Sequence, residues 1–415
     1  MQPFEGIVVG AGATGVATAI GLAQAGVKVA LVGPADLRRN GRTVALWAGS
    51  VQMLRNIGIW QDISTHAEPI ITMRLVDDTG SIFTQPPVDF CAGELGHDEF
   101  GFNIENFWLV QALLAKAETQ ANITRFTALV QKVELLPDQG MVRLETGQSL
   151  CAPLLVGAEG RQSPTRAAAL IEVRKWDYPQ VALTAIFSHQ RPHKDISTEF
   201  HTRSGPCTLV PLPAEPDAPH RSSLVWLMRP PEASRRSQLS DADFAQAVEA
   251  QVQHLLGWMQ VQGSRAQFPM SGMVAKRMSG HRVALVGEAA HVFPPIGAQG
   301  LNLGMRDVAG LIDLVTQAHD TCGDLGSEAV LHAYERARRA DIELRTRGVD
   351  VLNTALLTDL LPADFMRGAG LLALANIAPL RRAIMRQGMN PGNPPPLMRA
   401  SKRQAIGNRA AGNHE

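Results

Sequence analysis

Three short clusters, far apart in the chain, hold the residue types that could do chemistry. The first is Gly10-Ala11-Gly12-Ala13-Thr14-Gly15. The second is Gly157-Ala158-Glu159-Gly160-Arg161-Gln162-Ser163. The third runs from Gly287-Glu288-Ala289-Ala290-His291 through Pro295 and Gly297 to Gly300-Leu301-Asn302. None offers a nucleophile with a base and an orienting group, and none has metal-ligand spacing. Glycines beside single acids suit another task, the close approach of backbone N–H groups to an anionic or electron-rich ligand.

The elements that must position these clusters are legible around them. Gly6-Ile7-Val8-Val9 reads as a short buried strand before the first cluster, and a helix burying Val16, Ile20 and Ala23 follows it and stops at Gly26. Val27 to Val32 supplies a second strand. In this setting Gly10 permits a tight turn, Gly12 lets backbone approach a pyrophosphate, and Gly15 lets helix and strand pack closely. The acid expected after the second strand is replaced by Gly33; Asp36 is either its substitute or a solvated loop residue. Arg282 to Val286 is a buried strand leading into the third cluster. Beyond Gly300 a helix places Leu301, Met305, Val308, Leu311 and Ile312 on one face. Leu154 to Val156 repeats the pattern ahead of the second cluster.

Composition narrows the classes. The chain has 415 residues and no formal net charge, so it can bury a large core and presents no nucleic-acid-type field. Cys91, Cys151, Cys207 and Cys322 are scattered, as in a reducing compartment. No signal peptide is read at the N-terminus, and Gly368 to Leu380 is too short an apolar stretch to span a bilayer.

Elsewhere, Arg42 enters a loop as either a phosphate clamp or a surface charge. Ser50 is expected to cap a helix with Val51, Leu54 and Ile57, and Asn106 one with Leu109, Leu113 and Leu114 inward and Gln111 on the next stripe. Ile70 to Val76 and Ser81 to Thr84 read as a hairpin. Val181 to Ser188, Ile196 to Thr202, Cys207 to Leu212 and Ser223 to Leu227 read as an antiparallel sheet, and Ser240 opens a helix carrying Phe244, Val248, Val252 and Leu255. From Glu328 the chain is helical, with many arginines between Tyr334 and Arg347. Residues beyond Pro391 are expected to be loosely ordered. His291 is expected to support its loop by hydrogen bonding, and His201, on a strand of the sheet, to face solvent in preference to substrate.

Taken together, Gly10-x-Gly12-x-x-Gly15, Gly157-Ala-Glu159-Gly160-Arg161-x-Ser163 and Gly287-Glu288-Ala-Ala-His291 with Pro295 and Gln299-Gly300-Leu301-Asn302 resemble the single-component FAD-dependent aromatic hydroxylases, the para-hydroxybenzoate-hydroxylase-like monooxygenases. Within them, Arg42-Thr43-x-Ala45-Leu46, Gly101-Phe102-Asn103-Ile104 and Gly300 to Asp307 resemble the ubiquinone-biosynthesis hydroxylases most. The resemblance implies a Rossmann-like α/β FAD-binding domain, discontinuous over 1–75, 101–175 and 272–325. An inserted antiparallel sheet domain over 76–100 and 176–271 would bind substrate, followed by C-terminal helices at 326–390 and a flexible tail at 391–415. It also implies that Gly10, Gly12, Ala13 and Gly15 cradle the pyrophosphate, and that Arg42 and Gln111 contact the phosphates and linker. Glu159 and Gly160 would serve FAD, Gly287 and Glu288 the ribityl side, and Pro295, Gly300, Leu301 and Asn302 the isoalloxazine ring. Glu stands at both acidic positions where the family has Asp, and Ala298 where Gly is usual.

The chemistry implied is that NADH or NADPH reduces FAD and that O2 adds to give a C4a-hydroperoxyflavin, which passes an electrophilic oxygen to a phenol ring. The organic chemistry is the cofactor's, so no catalytic side chain is assigned. A prenylated phenol is the expected substrate, because the sheet strands carry few charges and no arginine pair dedicated to a ring carboxylate. The expected setting is the cytoplasm; Arg381, Arg382 and Arg386 form either a solvated face or a contact with the inner membrane or a biosynthetic complex. Other readings of the same motifs are a prenyl reductase, a halogenase, or a non-catalytic binding protein on this scaffold.

Overall fold

A computed structural model describes residues 2–80, 86–294, 297–357, 374, 376–389 and 394–400. The apolar runs beside the glycine clusters become parallel strands. Val283–Leu285, Leu154–Gly157, Gly6–Val9, Val29–Val32 and Ile123–Phe126 lie side by side in that order, with Ser279–Gly280 antiparallel at the edge. The first four are buried along their whole length, which is why they read as unbroken apolar runs. Helix Ala13–Gln24 packs against helices Gln299–Asp320 and Asn106–Glu118. Gly21 permits the first of these contacts, since a Cβ there would overlap Ile312. Helix Glu328–Leu357 closes the layer, and its buried Tyr334 donates to the Leu285 carbonyl at 2.7 Å.

A second, eight-stranded sheet runs in the order His291–Val292, Met259–Ala275, Val173–His189, Arg221–Met228, Gly205–Leu212, Ile196–Thr202, Thr72–Asp77 and Val88–Cys91. Its outer face buries Leu183, Phe187, Phe200 and Trp226 under helix Asp241–Gln251, which supplies Phe244 and Val248 and is capped by Ser240. On its inner face Met73, Leu75 and Val210 pack with Trp47, Ala298 and Met385. A charge cluster ties a third sheet, of three strands, to the large one. Glu105, at the end of strand Gly101–Glu105, accepts from Arg39 at 2.6 Å and from Arg221 of the large sheet at 3.0 Å.

Several expectations are corrected. The partner of strand Thr72–Asp77 is Val88–Cys91; Ser81 to Thr84 lie outside the described residues. Ser50 sits inside helix Ala48–Asn56, and its hydroxyl donates to Asn302 at 2.7 Å instead of capping. Asn106 is the first helical residue, and its N–H donates to the Arg42 carbonyl. Strand Met259–Ala275 went unread because Gly263, Ser264, Pro269 and Gly272 interrupt its pattern. The chain beyond 391 is not uniformly loose: Met398 is buried, and Asn56 Nδ2 donates to the carbonyls of Leu397 and Arg399. Strands Thr72–Asp77 and Met259–Ala275 run across the expected domain boundaries at 75/76 and 271/272.

Candidate functional site

The three clusters meet at the carboxyl ends of strands Gly6–Val9, Leu154–Gly157 and Val283–Leu285, the edge of an α/β sheet where ligands bind. Gly10, at φ +111°, must lack a Cβ because one would overlap the Ala158 carbonyl; a Cβ at Gly15 would overlap the Gly10 carbonyl. A Cβ at Gly12 or Gly300 would meet nothing within 4 Å. The first two glycines therefore serve packing, and the last two border open space. The third cluster leans on the first helix, where the Thr14 methyl lies 2.8 Å from the Cβ position of Gly304 and 3.0 Å from that of Gly287.

Two helix N-termini open onto this space without a side-chain cap or an acid in the first turn. One begins at Ala13 and the other at Gln299. Their unsatisfied N–H groups and positive dipole ends are anion-binding features. Ala298 holds the second start in the left-handed region at φ +52°, which explains why glycine is the easier residue there. Asn302 fixes the same turn with all four of its hydrogen-bonding positions. Its Oδ1 accepts from the Trp47 N–H at 2.8 Å and the Ser50 hydroxyl, while Nδ2 donates to the carbonyls of Ala45 and Ala298 at 2.7 Å each.

The remaining sequence-nominated residues divide. Gly160 borders open space beside the first cluster. Glu159 instead turns to helix Pro164–Ala168, accepting from the Thr165 N–H at 2.8 Å, and burial raises its pKa. Glu288 projects from the turn Gly287–Ala289 with its carboxylate 63% exposed and 3.9 Å from Arg161, within reach of a ligand. Arg42 is exposed, its guanidinium 4.9 Å from the centre of the Phe268 ring. Gln111 is exposed on helix Asn106–Glu118. Asp36 pairs with Arg38, whose hydrogen bonds pull its pKa to about 2. Leu301 is the third residue of its helix and only half-buried. Pro295 lies outside the described residues.

Sequence reasoning quoted Asp307 only as part of a motif, yet it is the buried hub behind the crevice. It accepts from the Gly287 N–H at 3.1 Å, from Arg338 Nε at 2.8 Å, and bonds His291 Nε2 at 2.6 Å. Burial opposes its charge, but His291 and Arg338 outweigh that and hold its pKa below the usual carboxylate value. Arg338 continues to Asp341, which also takes Arg306 and Arg345; Arg345 in turn bonds Gln299 at the helix start. The arginine-rich segment thus braces the crevice from behind, and His291 has the supporting part expected of it.

Away from the crevice, Glu68, His193 and Asp195 bring one ligand atom each within 4.8 Å of one another. Burial and the neighbouring Asp195 push Glu68 up to about 7. His201, expected at the surface, is only 6% exposed, and its Nε2 lies 2.7 Å from Glu199. The strand Ile196–Thr202 is as expected, but alternation along it puts His201 with Ser197 and Glu199 on a polar face and gives no sign of that burial. No helix among the described residues is long and apolar enough to cross a membrane.

The open space at Gly12 and Gly300, the uncapped helix starts and the reachable Glu288 fit FAD. Comparisons with known proteins agree. Residues 4–347 match the model of the FAD binding domain family. Ubiquinone hydroxylase UbiL of Rhodospirillum rubrum is 32% identical, over 95% of this chain and 92% of that protein. The 3-demethoxyubiquinol 3-hydroxylase of Escherichia coli (strain K12) is 30% identical, over 94% of this chain and 99% of that protein. Among solved structures, p-nitrophenol 4-monooxygenase from Pseudomonas putida DLL-E4 superposes with a TM-score of 0.75 at 18% identity, covering 94% of this chain and 99% of that one, a likeness of fold. The expected kinship with the ubiquinone-biosynthesis hydroxylases, the flavin monooxygenase fold and the FAD cofactor are borne out, and the chain belongs to the FAD binding domain family.

Proposed function

We propose that this protein hydroxylates the aromatic ring of a prenylated phenol in ubiquinone biosynthesis, using FAD, O2 and NADH or NADPH. The observation that carries this reading is the apolar cluster beside the second helix start. Ala298 of the cofactor loop, Met73, Leu75 and Val210 of the sheet, and Met385 of helix Ala378–Met389 share one buried cluster. Such a wall gains from burying a prenyl tail and offers a ring carboxylate nothing.

FAD, when bound, supplies the activation of O2 and the transfer of one oxygen atom. The chain's part is to bind and orient. Gly10, Gly12, Ala13 and Gly15 admit the pyrophosphate to the first helix start, with Gly160 bordering it and Arg42 and Gln111 at the rim. Gly287 and Glu288 take the ribityl side, and the backbone of Gly300, Leu301 and Asn302 takes the ring edge. Helix Ala378–Met389 packs Met385 into this cluster and is latched by Arg381, which donates to Glu94 at 2.7 Å. Its exposed Leu380 and Ile384, with exposed Arg382 and Arg386, suit an inner-membrane surface from which such a tail is drawn.

NAD(P)H oxidation with FAD and either a geranylated phenol or para-hydroxybenzoate tests this reading. Oxidation coupled to hydroxylation of the geranylated phenol is expected. Tight coupling with the small acid alone would overturn it.

A further inference from the structure

The inner face of the large sheet carries a polar pair that cofactor binding does not use. In the cross-strand register Leu75 stands beside Glu199, Glu199 beside Thr208, Thr208 beside Val225, and Val225 beside Thr184. Leu75 and Val210 of this face pack in the apolar cluster that includes Ala298 of the cofactor loop, whereas Phe200, between Glu199 and His201, enters the core on the outer face. Side chains alternate along a strand, so Glu199 and His201 both project on the same face as Leu75 and Val210.

The two form a base with its orienting group. Glu199 accepts from Thr208 at 3.2 Å and lies 2.7 Å from His201 Nε2. Burial opposes its ionisation, but the bonds from His201 and Thr208 outweigh burial and keep it a carboxylate. An ionised Glu199 selects the tautomer with the proton on Nε2, leaving Nδ1 as an acceptor. Nδ1 makes no hydrogen bond and is not sealed from solvent-sized contact, unlike the buried Nδ1 of His291. Neighbouring charges are otherwise engaged. The Asp77 carboxylate holds the Thr79 N–H and hydroxyl, Asp78 holds Gln251 and Gln253, and Arg203 donates to the Thr79 carbonyl. Thr208 and Pro206 face the pair from the next strand.

Oxygen transfer to a phenol is easier once the ring carries the extra electron density of a phenolate. The chain has two tyrosines. Tyr334 is spent on the Leu285 carbonyl, and Tyr178 packs with Ala182, Leu227 and Met270. Resting on the hydroxylase reading above, we propose that His201, oriented by Glu199, is the base that takes the ring-hydroxyl proton of the phenolic substrate. The O–H bond breaks, its electron pair stays on the ring oxygen, and an N–H bond forms at Nδ1. The imidazolium is held by Glu199 and passes its proton to solvent. The step consumes no oxidant or reductant.

The test is ultraviolet difference spectroscopy of a bound geranylated phenol across pH, together with turnover, for wild type, His201→Gln and Glu199→Gln loaded with FAD. Wild type is expected to bind phenolate at neutral pH. His201→Gln should bind the neutral phenol, lose about a hundredfold in kcat at neutral pH, and recover about tenfold per pH unit as hydroxide takes over. Glu199→Gln should fall between them. A ring-fluorinated, more acidic geranylated phenol should restore much of the His201→Gln rate. FAD affinity and melting temperature serve as fold controls, and if His201→Gln fails them Glu199→Gln and the fluorinated substrate decide. A wild type that binds neutral phenol, or variants with the wild-type spectrum and pH profile, would overturn the assignment. A wild type that hydroxylates no phenol would instead overturn the hydroxylase reading, and this inference with it.

Discussion

The cofactor crevice and the sheet wall facing it are built by different means. The crevice is made of backbone: bare glycines at Gly10, Gly12 and Gly15, two uncapped helix starts, and a turn held by Asn302. The wall is made of side chains brought level by strand register, such as Leu75, Glu199 and Thr208 from three strands. A backbone site tolerates few side chains and so writes itself into sequence as spaced glycines. A register site can use many residues and leaves no spacing to read.

Each half can be broken separately. The largest effect is expected behind the crevice, at Asp307→Ala. This leaves the buried Arg338 and His291 without their shared carboxylate and should cost about 3–5 kcal/mol in chemical denaturation. A loss below about 1 kcal/mol would show that the hub does not hold the crevice.

Gly12→Val comes next. Open space and an ordinary φ of −80° let valine fold there, so the melting temperature of the FAD-free protein should change little. FAD affinity, followed by flavin fluorescence, should fall at least about a hundredfold. His201→Gln should show the opposite pattern, with affinity kept and turnover lost. If both variants lose FAD, the two regions are not independent.

Acid sharpens the account of the brace. Burial raises the pKa of Asp341, but Arg338, Arg306 and Arg345 outweigh this and bring it to about 2. A carboxyl depressed on folding stabilises the fold above its unfolded value, and that contribution disappears as pH falls through the folded value. Asp341→Asn should therefore cost about 2 kcal/mol near neutrality and almost nothing near pH ~2. An equal cost at both pH values would assign the effect to shape instead of charge.

The smallest effect expected is that of Ser50→Ala, which removes one of two donors to Asn302 Oδ1. About 1 kcal/mol of stability and a few-fold loss of FAD affinity should follow. Unchanged affinity would mean that the Trp47 N–H alone fixes the turn.

Much of the fold was legible because buried parallel strands announce themselves as apolar runs ending in glycine. Gly6–Val9, Leu154–Gly157 and Val283–Leu285 were all read that way. Met259–Ala275 was not, since its glycines and proline mimic a loop while thirteen residue pairings with Val173–His189 override them. Ser50 and Asn106 looked like caps because local preference cannot see Asn302 or the Arg42 carbonyl arriving from elsewhere in the chain. For the same reason His201 was assigned to solvent: its burial depends on a neighbouring strand whose register no local pattern encodes.

The most direct measurement of the central claim is the mass of the product formed from a geranylated phenol by the FAD-loaded protein with NAD(P)H under isotopically heavy O2. The account predicts one heavy oxygen atom on the aromatic ring of the product, formed in proportion to the NAD(P)H consumed. NAD(P)H oxidation that yields only hydrogen peroxide, or a product reduced in its prenyl chain with no oxygen gained, would contradict it.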